Sequence, residues 1–197
     1  MESIISWNIA NANGLLGRKT DDPEFVKIIS GNDIICLQET VSEVQLPGYE
    51  SFSDLRKSGK GGGVTTLVRR DLTHYCKHVN QPSQDGSMNI VVINISNLGD
   101  EVFIINTYIP PSNSKGKGTP NCSVKNFDYL HKVISRIREE NSGSLLLCGD
   151  LNARLGCSPD FGDHQLDESK LPCTVGSDRF SQFTVIPPGA PILSEQP

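Results

Sequence analysis

The sequence predicts a layered fold of the α/β or α+β class whose core is mostly β-sheet. Short apolar or β-branched runs outnumber helical patterns, and two helical patterns are inserted between groups of these runs. The length of 197 residues suits one domain with a sizeable core. No run reaches the roughly 18 apolar residues of a membrane span, and the start "MESIISWNIA" has no long apolar core. We therefore expect neither a signal peptide nor a membrane segment.

The first half of the chain predicts strands around one short helix. "SIISWNI" (Ser3–Ile9) reads as a buried strand, and Asp22 then caps a helix over Pro23–Ser30. "DIICLQE" (Asp33–Glu39) is a second apolar strand that ends in a carboxylate. A strand at Val64–Val68 follows a glycine run, "GYESFSD" is a weaker strand, and "LTHYCKHV" alternates as an edge strand would.

The second half predicts a hairpin, a longer helix and a further buried strand. "MNIVVINIS" and "EVFIINTYI" are β-branched runs separated by the turn signal "NLGD". Ser123 can cap a helix with one apolar face, made of Val124, Phe127, Leu130, Ile134 and Ile137. "SLLLC" is then a buried strand, and after Gly156 "RFSQFTVI" is the remaining strand candidate.

Charge and cysteine usage limit the partners and the compartment. The formal net charge is −5, so bulk charge does not indicate a nucleic-acid-binding protein. Local basic groups at Arg69, Arg70, Lys115 and Lys117 are candidate contacts to a DNA backbone, although such groups are also common in solvated loops. The six cysteines form no C-x-x-C pair, and we read them as reduced thiols of an intracellular protein, nuclear or cytoplasmic.

Polar side chains stand where four of the apolar strands end. These side chains are Asn8, Glu39, Tyr108, and Asp150 with Asn152. Each alone is also explained as a turn or strand-end residue, but four strands repeat the pattern. If the strands lie side by side, the groups converge at one sheet edge.

Side chains that converge in this way suit metal binding and proton transfer. Carboxylate and carboxamide oxygens suit Mg²⁺, with Mn²⁺ as the second candidate, better than Zn²⁺. A carboxylate away from the metal can take a proton from an attacking water, while an Asn and a Tyr can orient the reacting groups. The pattern therefore favours metal-assisted chemistry on a phosphate ester.

Five motifs in order carry a resemblance to a known family. They are "SWNI", "ICLQET", "GGGVTTLVRR", "INTYIPP" and "LLLCGDLNARLG", and they span the chain from about Ser3 to Gly156. In this order they resemble the endonuclease/exonuclease/phosphatase superfamily. Within it, the wording is most similar to the endonuclease domain of non-LTR retrotransposons.

The resemblance implies a fold, a cofactor and residue roles. The fold would be α+β, a two-layer β-sandwich flanked by helices in an α/β/β/α arrangement. Glu39 and Asn8 would take the metal-site roles for Mg²⁺. Asp150 would deprotonate the attacking water, while Asn152 and Tyr108 would stabilise the phosphoryl group. The partner would be DNA, nicked in one strand, with no obligate protein partner.

The chain departs from the family pattern in its last part. The family closes its site with a late Asp and a Ser-Asp-His motif. Here Asp163-His164 comes too early, and Ser177-Asp178 is followed by Arg179 in place of His. We therefore expect an incomplete domain over 1–156 that lacks the last strands of the sandwich, and an irregular, unrelated or disordered tail over 157–197.

This departure leaves three functional readings open. The first is a DNA-nicking endonuclease that is weakened or inactive, because the loss of a catalytic acid/base typically costs about 10²- to 10⁴-fold in rate. The second is a phosphatase of the same superfamily. The third is a catalytically dead remnant that binds nucleic acid through its basic loops, which are Arg56–Lys60, Arg69-Arg70 and Lys115–Lys117.

Overall fold

A computed structural model describes residues 3–14, 17–56, 62–79, 88–97, 100–111, 121–152 and 182–186 of the chain. Lys115, Lys117, Asp163-His164 and Ser177–Arg179 lie outside the described residues. In chain order the elements are β1 (Ile4–Asn8), β2 (Asn13–Gly14), β3 (Gly17–Arg18), α1 (Pro23–Ile29), β4 (Ile34–Gln38), β5 (Tyr49–Asp54), β6 (Val64–Arg69), β7 (Cys76–Val79), β8 (Asn89–Asn97), β9 (Asp100–Tyr108), α2 (Asn121–Glu140), β10 (Ser144–Asp150) and β11 (Gln182–Ile186).

Two mixed sheets are built on the same plan. The first has the order β1-β4-β6-β5, and the second has the order β11-β10-β9-β8-β7. Each sheet contains one parallel pair, β1 with β4 and β9 with β10, flanked by antiparallel neighbours. Because the strands of a parallel pair end at the same side of the sheet, each pair delivers its following residues to one edge.

Alternation along the strands produces the layers. In β4, Ile34 and Cys36 face the second sheet, where they pack in a cluster with Ile93 of β8. Ile35 and Leu37 of the same strand face the other way and pack against α1. Both faces of this strand are buried, which explains its unbroken apolar run.

The second sheet has the matching arrangement. One of its faces packs on the first sheet, and the other packs on α2 through Ile90, Ile105, Leu130 and Ile137. The order of layers is therefore helix, sheet, sheet, helix, and the predicted α+β sandwich flanked by helices is confirmed. Among the described residues, neither helix is both long and apolar enough to cross a membrane.

The helices follow local signals, with two corrections. The Asp22 carboxylate accepts a hydrogen bond from the Glu24 amide, so Asp22 caps α1 as predicted. The second helix begins at Asn121, and Ser123 therefore lies inside it and does not cap it. Phe127 was predicted on the buried face but is 38% exposed, since the buried stripe runs through Asn126, Leu130, Val133 and Ile137.

Most predicted strands are found, with one shortened. Within the candidate "RFSQFTVI", Gln182–Ile186 forms β11, and within "GYESFSD", Tyr49–Asp54 forms β5. In "LTHYCKHV" only Cys76–Val79 is a strand, whereas Arg70–Tyr75 forms a 3-10 helix. The Thr73 hydroxyl donates to the Arg70 carbonyl there, a local bond that competes with sheet pairing. The division of the chain at residue 156 stays a prediction.

The cysteines of the described part are free thiols. Cys36, Cys76 and Cys148 form no disulfide, and the first and last of them are buried between the sheets. Burial, followed by the charge of Glu50, raises the pKa of Cys76 to about 11, so this thiol stays protonated at neutral pH.

Candidate active site

The strand register brings the predicted site residues to one edge of the sandwich. Asn8 pairs with Gln38 at the ends of β1 and β4, which places Glu39 next to Asn8. Asp150 pairs with Tyr108 at the ends of β10 and β9. We call these four strand ends the site edge, and the structure confirms that the polar residues after the apolar runs converge there.

The Asn8 side chain connects the two sheets at this edge. Its Nδ2 donates to Glu39 Oε1 at 2.9 Å and to Asp150 Oδ2 at 2.6 Å. Its Oδ1 accepts from the Ala10 amide at 2.9 Å, so the whole carboxamide is engaged and its orientation is determined by the network. One amide group therefore holds two carboxylates from different sheets close together.

Tyr108 lies against the same two carboxylates. The pKa of Tyr108 is raised to about 12, first by burial and then by the charges of Glu39 and Asp150 and a hydrogen bond with Glu39. Arg56 acts in the opposite direction. The phenol is therefore protonated at neutral pH and is available as a hydrogen-bond donor.

Asp150 and Asn152 form a tight turn after β10. The Asn152 amide donates to Asp150 Oδ1 at 3.0 Å, so both carboxylate oxygens of Asp150 accept hydrogen bonds. Asn152 Nδ2 donates to the Ile109 carbonyl at 2.8 Å, which ties the turn to the segment after Tyr108. These bonds hold Asp150 in place for a role as a proton acceptor.

Unusual backbone conformations are concentrated at the site edge. Among the described residues, the non-glycine residues with positive φ are Ala10, Asn11, Glu39, Val41 and Asn152. All of them follow β1, β4 or β10 within three residues. Conformations of this kind cost on the order of 1–3 kcal/mol each and cluster at functional sites. This backbone strain supports a functional role for the site edge, and the support does not depend on which residue types are found there.

Gly149 explains why a buried strand ends in Gly-Asp. Its φ is +144°, and a Cβ at this position would lie 2.0 Å from the Thr107 carbonyl oxygen on the neighbouring strand. The backbones of β9 and β10 approach each other closely where they bring Tyr108 and Asp150 together. The glycine is therefore a steric requirement of the site edge.

A buried polar network behind the site was missed from the sequence. Asn106 is fully buried in β9, and its Oδ1 accepts from Gln38 Nε2 at 2.8 Å across the two sheets. Asn106 Nδ2 donates to the Thr65 carbonyl and to Thr66 Oγ1, both at 3.1 Å. The signal was present, because "CLQE" and "INTY" each place a polar residue inside an apolar run, one residue before Glu39 and two residues before Tyr108.

The candidate DNA contacts Arg69 and Arg70 lie at the other end of the sheet. Val68 pairs with Ile34 at the start of β4, whereas the site edge is at the end of that strand. The Arg69 guanidinium is engaged by Asp33 at 2.6 Å and by Asp71 at 2.7 Å. Neither arginine is brought to the site residues, and a DNA contact by either one stays a prediction.

Comparison with protein families agrees with this architecture. The model of the Endonuclease/Exonuclease/phosphatase family matches residues 5–188, most of the chain. The chain belongs to this family. The match of this family member extends beyond the motif region and includes β11, which pairs with β10 beside the site.

Individual relatives of this family member are distant. A DNA-(apurinic or apyrimidinic site) endonuclease of Dictyostelium discoideum is 29% identical over 163 residues, which are 76% of this chain and 41% of that protein. The APE2 catalytic domain of Xenopus laevis matches at TM-score 0.58 and 19% identity, over 77% of this chain and 58% of that one. AP endonuclease LMAP of Leishmania major matches at TM-score 0.56 and 20% identity, over 77% and 55%. The chain thus spans about half the length of these proteins.

The residues at the site edge fit a divalent cation of the kind this family generally uses. Glu39 and Asp150 bring two carboxylates to one amide group, so negative charge is concentrated where a cation can offset it. Hard oxygen donors of this type suit Mg²⁺ or Mn²⁺, which bind one or two carboxylates together with substrate phosphate. In the described part of the chain, no cluster of three His, Cys, Asp or Glu residues forms an all-protein cage.

Proposed function

We propose that this domain is a Mg²⁺-dependent endonuclease that hydrolyses a phosphodiester bond of DNA, with Mn²⁺ as an alternative cation. The observation that carries the proposal is the Asn8 carboxamide, which holds Glu39 and Asp150 from two sheets at 2.9 Å and 2.6 Å. A pair of carboxylates in this arrangement provides one group for a cation and one for a proton.

The roles of the residues follow from their surroundings. Glu39 would hold the cation together with Asn8, and the bound cation would neutralise charge on the phosphate. Asp150 would take the proton of the attacking water, because its two oxygens are oriented by Asn8 and Asn152. Tyr108 would donate a hydrogen bond to the phosphoryl oxygens, since its phenol is protonated at neutral pH. Attack of the water on phosphorus then breaks one ester bond.

The finer parts of the proposal concern the substrate. The names of two relatives support DNA as the substrate. One is a DNA-(apurinic or apyrimidinic site) endonuclease, and the other is an AP endonuclease. The motifs "INTYIPP" and "GDLNARLG" support an endonuclease of the retrotransposon type, which would act inside the cell, in the nucleus or cytoplasm. A rate weakened by the missing Ser-Asp-His pattern stays part of the proposal.

Nicking of supercoiled plasmid tests the proposal. Wild type, Asp150→Ala and Glu39→Ala are compared with Mg²⁺ and with Mn²⁺, and circular dichroism verifies the fold of each. Asp71→Ala is the matched control, because Asp71 is an exposed carboxylate far from the site edge. We expect nicking by wild type and the control and a loss in both site variants.

Two results would contradict the proposal. One is a folded wild type that does not nick with either cation. The other is nicking that persists unchanged in both site variants, which would place the activity elsewhere or in a contaminant. Release of inorganic phosphate from phosphomonoesters without plasmid nicking would favour a phosphatase of the same family instead.

A further inference from the structure

Arg56 lies at the site edge although no predicted strand end accounts for it. It follows β5 by two residues, and Asp54 at the end of that strand pairs with Val64. Val64 in turn pairs with Gln38, the residue before Glu39. The end of β5 is therefore level with the strand ends that carry the site, and Arg56 extends from it.

The Arg56 side chain packs closely against the backbone of Gly62, just before β6. A Cβ on Gly62 would lie 3.1 Å from Arg56 Cδ and 3.2 Å from Asn89 Oδ1, so the arginine and Asn89 flank this glycine closely. Gly62 has a φ of +88° and its carbonyl accepts from the Val41 amide, two residues after Glu39. The glycine therefore leaves room for an arginine beside the Glu39 loop.

The same contacts lead from Arg56 to Tyr108. Asn89 pairs with Tyr108 across β8 and β9, and the Asn89 side chain accepts from the Gly63 amide at 2.9 Å. The Arg56 side chain therefore lies beside Asn89, whose neighbour on the adjacent strand is Tyr108.

Arg56 is a cation without a carboxylate partner in the described part of the chain. Arg69, at the other end of the sheet, binds both Asp33 and Asp71. Arg56 is partly exposed and makes no such pair within 4.0 Å with any residue that the structure describes, even though the site edge is rich in negative charge. A guanidinium left unpaired next to a site is available to an incoming anion.

We propose that Arg56 is a substrate-binding residue whose guanidinium contacts a phosphate of the DNA strand beside Tyr108. The identity of this ligand rests on the proposed function. The planar guanidinium offers paired N–H donors that match two phosphate oxygens, which a lysine ammonium cannot reproduce. Together with a bound cation, Arg56 offsets the negative charge that Glu39 and Asp150 would otherwise present to a phosphate.

Fluorescence anisotropy with a short fluorescein-labelled DNA duplex in Ca²⁺ measures the contact without relying on catalysis. We compare wild type, Arg56→Gln, Arg56→Lys and Lys132→Gln, whose lysine is exposed in the middle of α2 and controls for loss of one positive charge. Arg56→Gln should weaken binding about 10- to 100-fold. It should also reduce the salt slope of the affinity by about one. Arg56→Lys should recover part of the affinity, and Lys132→Gln should match wild type.

The outcome separates this inference from the proposed function. Equal binding by wild type and folded Arg56→Gln, or no binding by wild type, overturns the role of Arg56, and plasmid nicking by wild type would then still support the nuclease. Binding that depends on Arg56, in a chain that does not nick, supports the Arg56 contact and contradicts the proposed hydrolysis. A fall in affinity as large in Lys132→Gln would show a general charge effect and would also overturn the inference.

Discussion

The two edges of the sandwich differ in how their charged side chains are balanced. At the edge away from the site, Arg69 binds Asp33 at 2.6 Å and Asp71 at 2.7 Å, so the charges neutralise one another. At the site edge, Glu39 and Asp150 share the neutral amide of Asn8, and neither has an ion pair in the described part of the chain.

The pKa values express the same contrast. The hydrogen bond from Arg69 lowers the pKa of Asp71, which shows a carboxylate stabilised by its own cation. At the site edge, burial raises the pKa of Tyr108 to about 12, with further contributions from the carboxylates. Paired charge at one edge stabilises the fold, whereas under the proposed function the unbalanced charge at the other edge would be offset by a bound cation.

The largest expected effect is that of Asp150→Asn on nicking. This variant keeps the shape of the side chain but removes the proton acceptor, so the rate should fall about 10²- to 10⁴-fold. The melting temperature should change little, because the loss of one of the two hydrogen bonds that Asp150 accepts is offset by the loss of its repulsion with Glu39. Rates from plasmid nicking, together with thermal melting, verify both points. A rate within about threefold of wild type would remove Asp150 from the proposed catalysis.

The next effect is on stability, from the network behind the site. Asn106→Ala leaves Gln38 without its 2.8 Å partner and opens a cavity between the sheets, so unfolding should cost about 3 kcal/mol less. Asn94→Ala is the control, because its bond to Glu101 is partly exposed and should be worth no more than about 1 kcal/mol. Urea denaturation measures both. Equal stability of the two variants would show that the network does not hold the sheets together.

Asp33→Asn tests the opposite edge. Asp33 is 4% exposed, and one of its oxygens accepts from the Ser3 amide while the other binds Arg69. Loss of its charge should lower the free energy of unfolding by about 1–2 kcal/mol. The nicking rate of the folded protein should stay at the wild-type level. A loss of nicking without a loss of stability would mean that this edge takes part in catalysis and that the contrast between the edges is wrong.

The smallest effect is expected for Arg70→Gln. Arg70 is exposed beside the paired edge, so its replacement should change stability by no more than about 0.5 kcal/mol. Its effect on DNA affinity, measured by the same anisotropy assay, should stay within about twofold. A fall comparable to that of Arg56→Gln would support the sequence-based prediction that DNA contacts this region.

Local patterns predicted the site better than its surroundings. Asn8, Glu39, Tyr108 and Asp150 were found because each stands where an apolar run ends, and strand register then brings such positions together. The ion pair of Arg69 with Asp33 was not predicted, because Asp33 is 36 positions earlier and only the pairing of β4 with β6 makes the two residues neighbours.

Contacts between the sheets were outside the reach of sequence patterns. Gln38 and Asn106 are visible in the sequence as polar residues inside apolar runs, but their hydrogen bond joins residues 68 positions apart and depends on how the two sheets pack. Arg56 was noted in the sequence as a basic loop residue, but its place at the site edge depends on the glycine at 62 and on the pairing of β5 with β6. The layers, by contrast, followed from alternation and from the two helical patterns.

Binding of Mn²⁺, followed by the loss of the electron paramagnetic resonance signal of the free ion, tests the contrast between the edges most directly. Wild type, Glu39→Gln, Asp150→Asn and Asp33→Asn are compared at equal protein concentration and with verified folding. We expect wild type and Asp33→Asn to bind the ion with similar affinity. Glu39→Gln should lose most of this binding and Asp150→Asn should weaken it, because both remove charge from the same site. Binding that is unchanged in both site-edge variants, or lost in Asp33→Asn, would contradict the account.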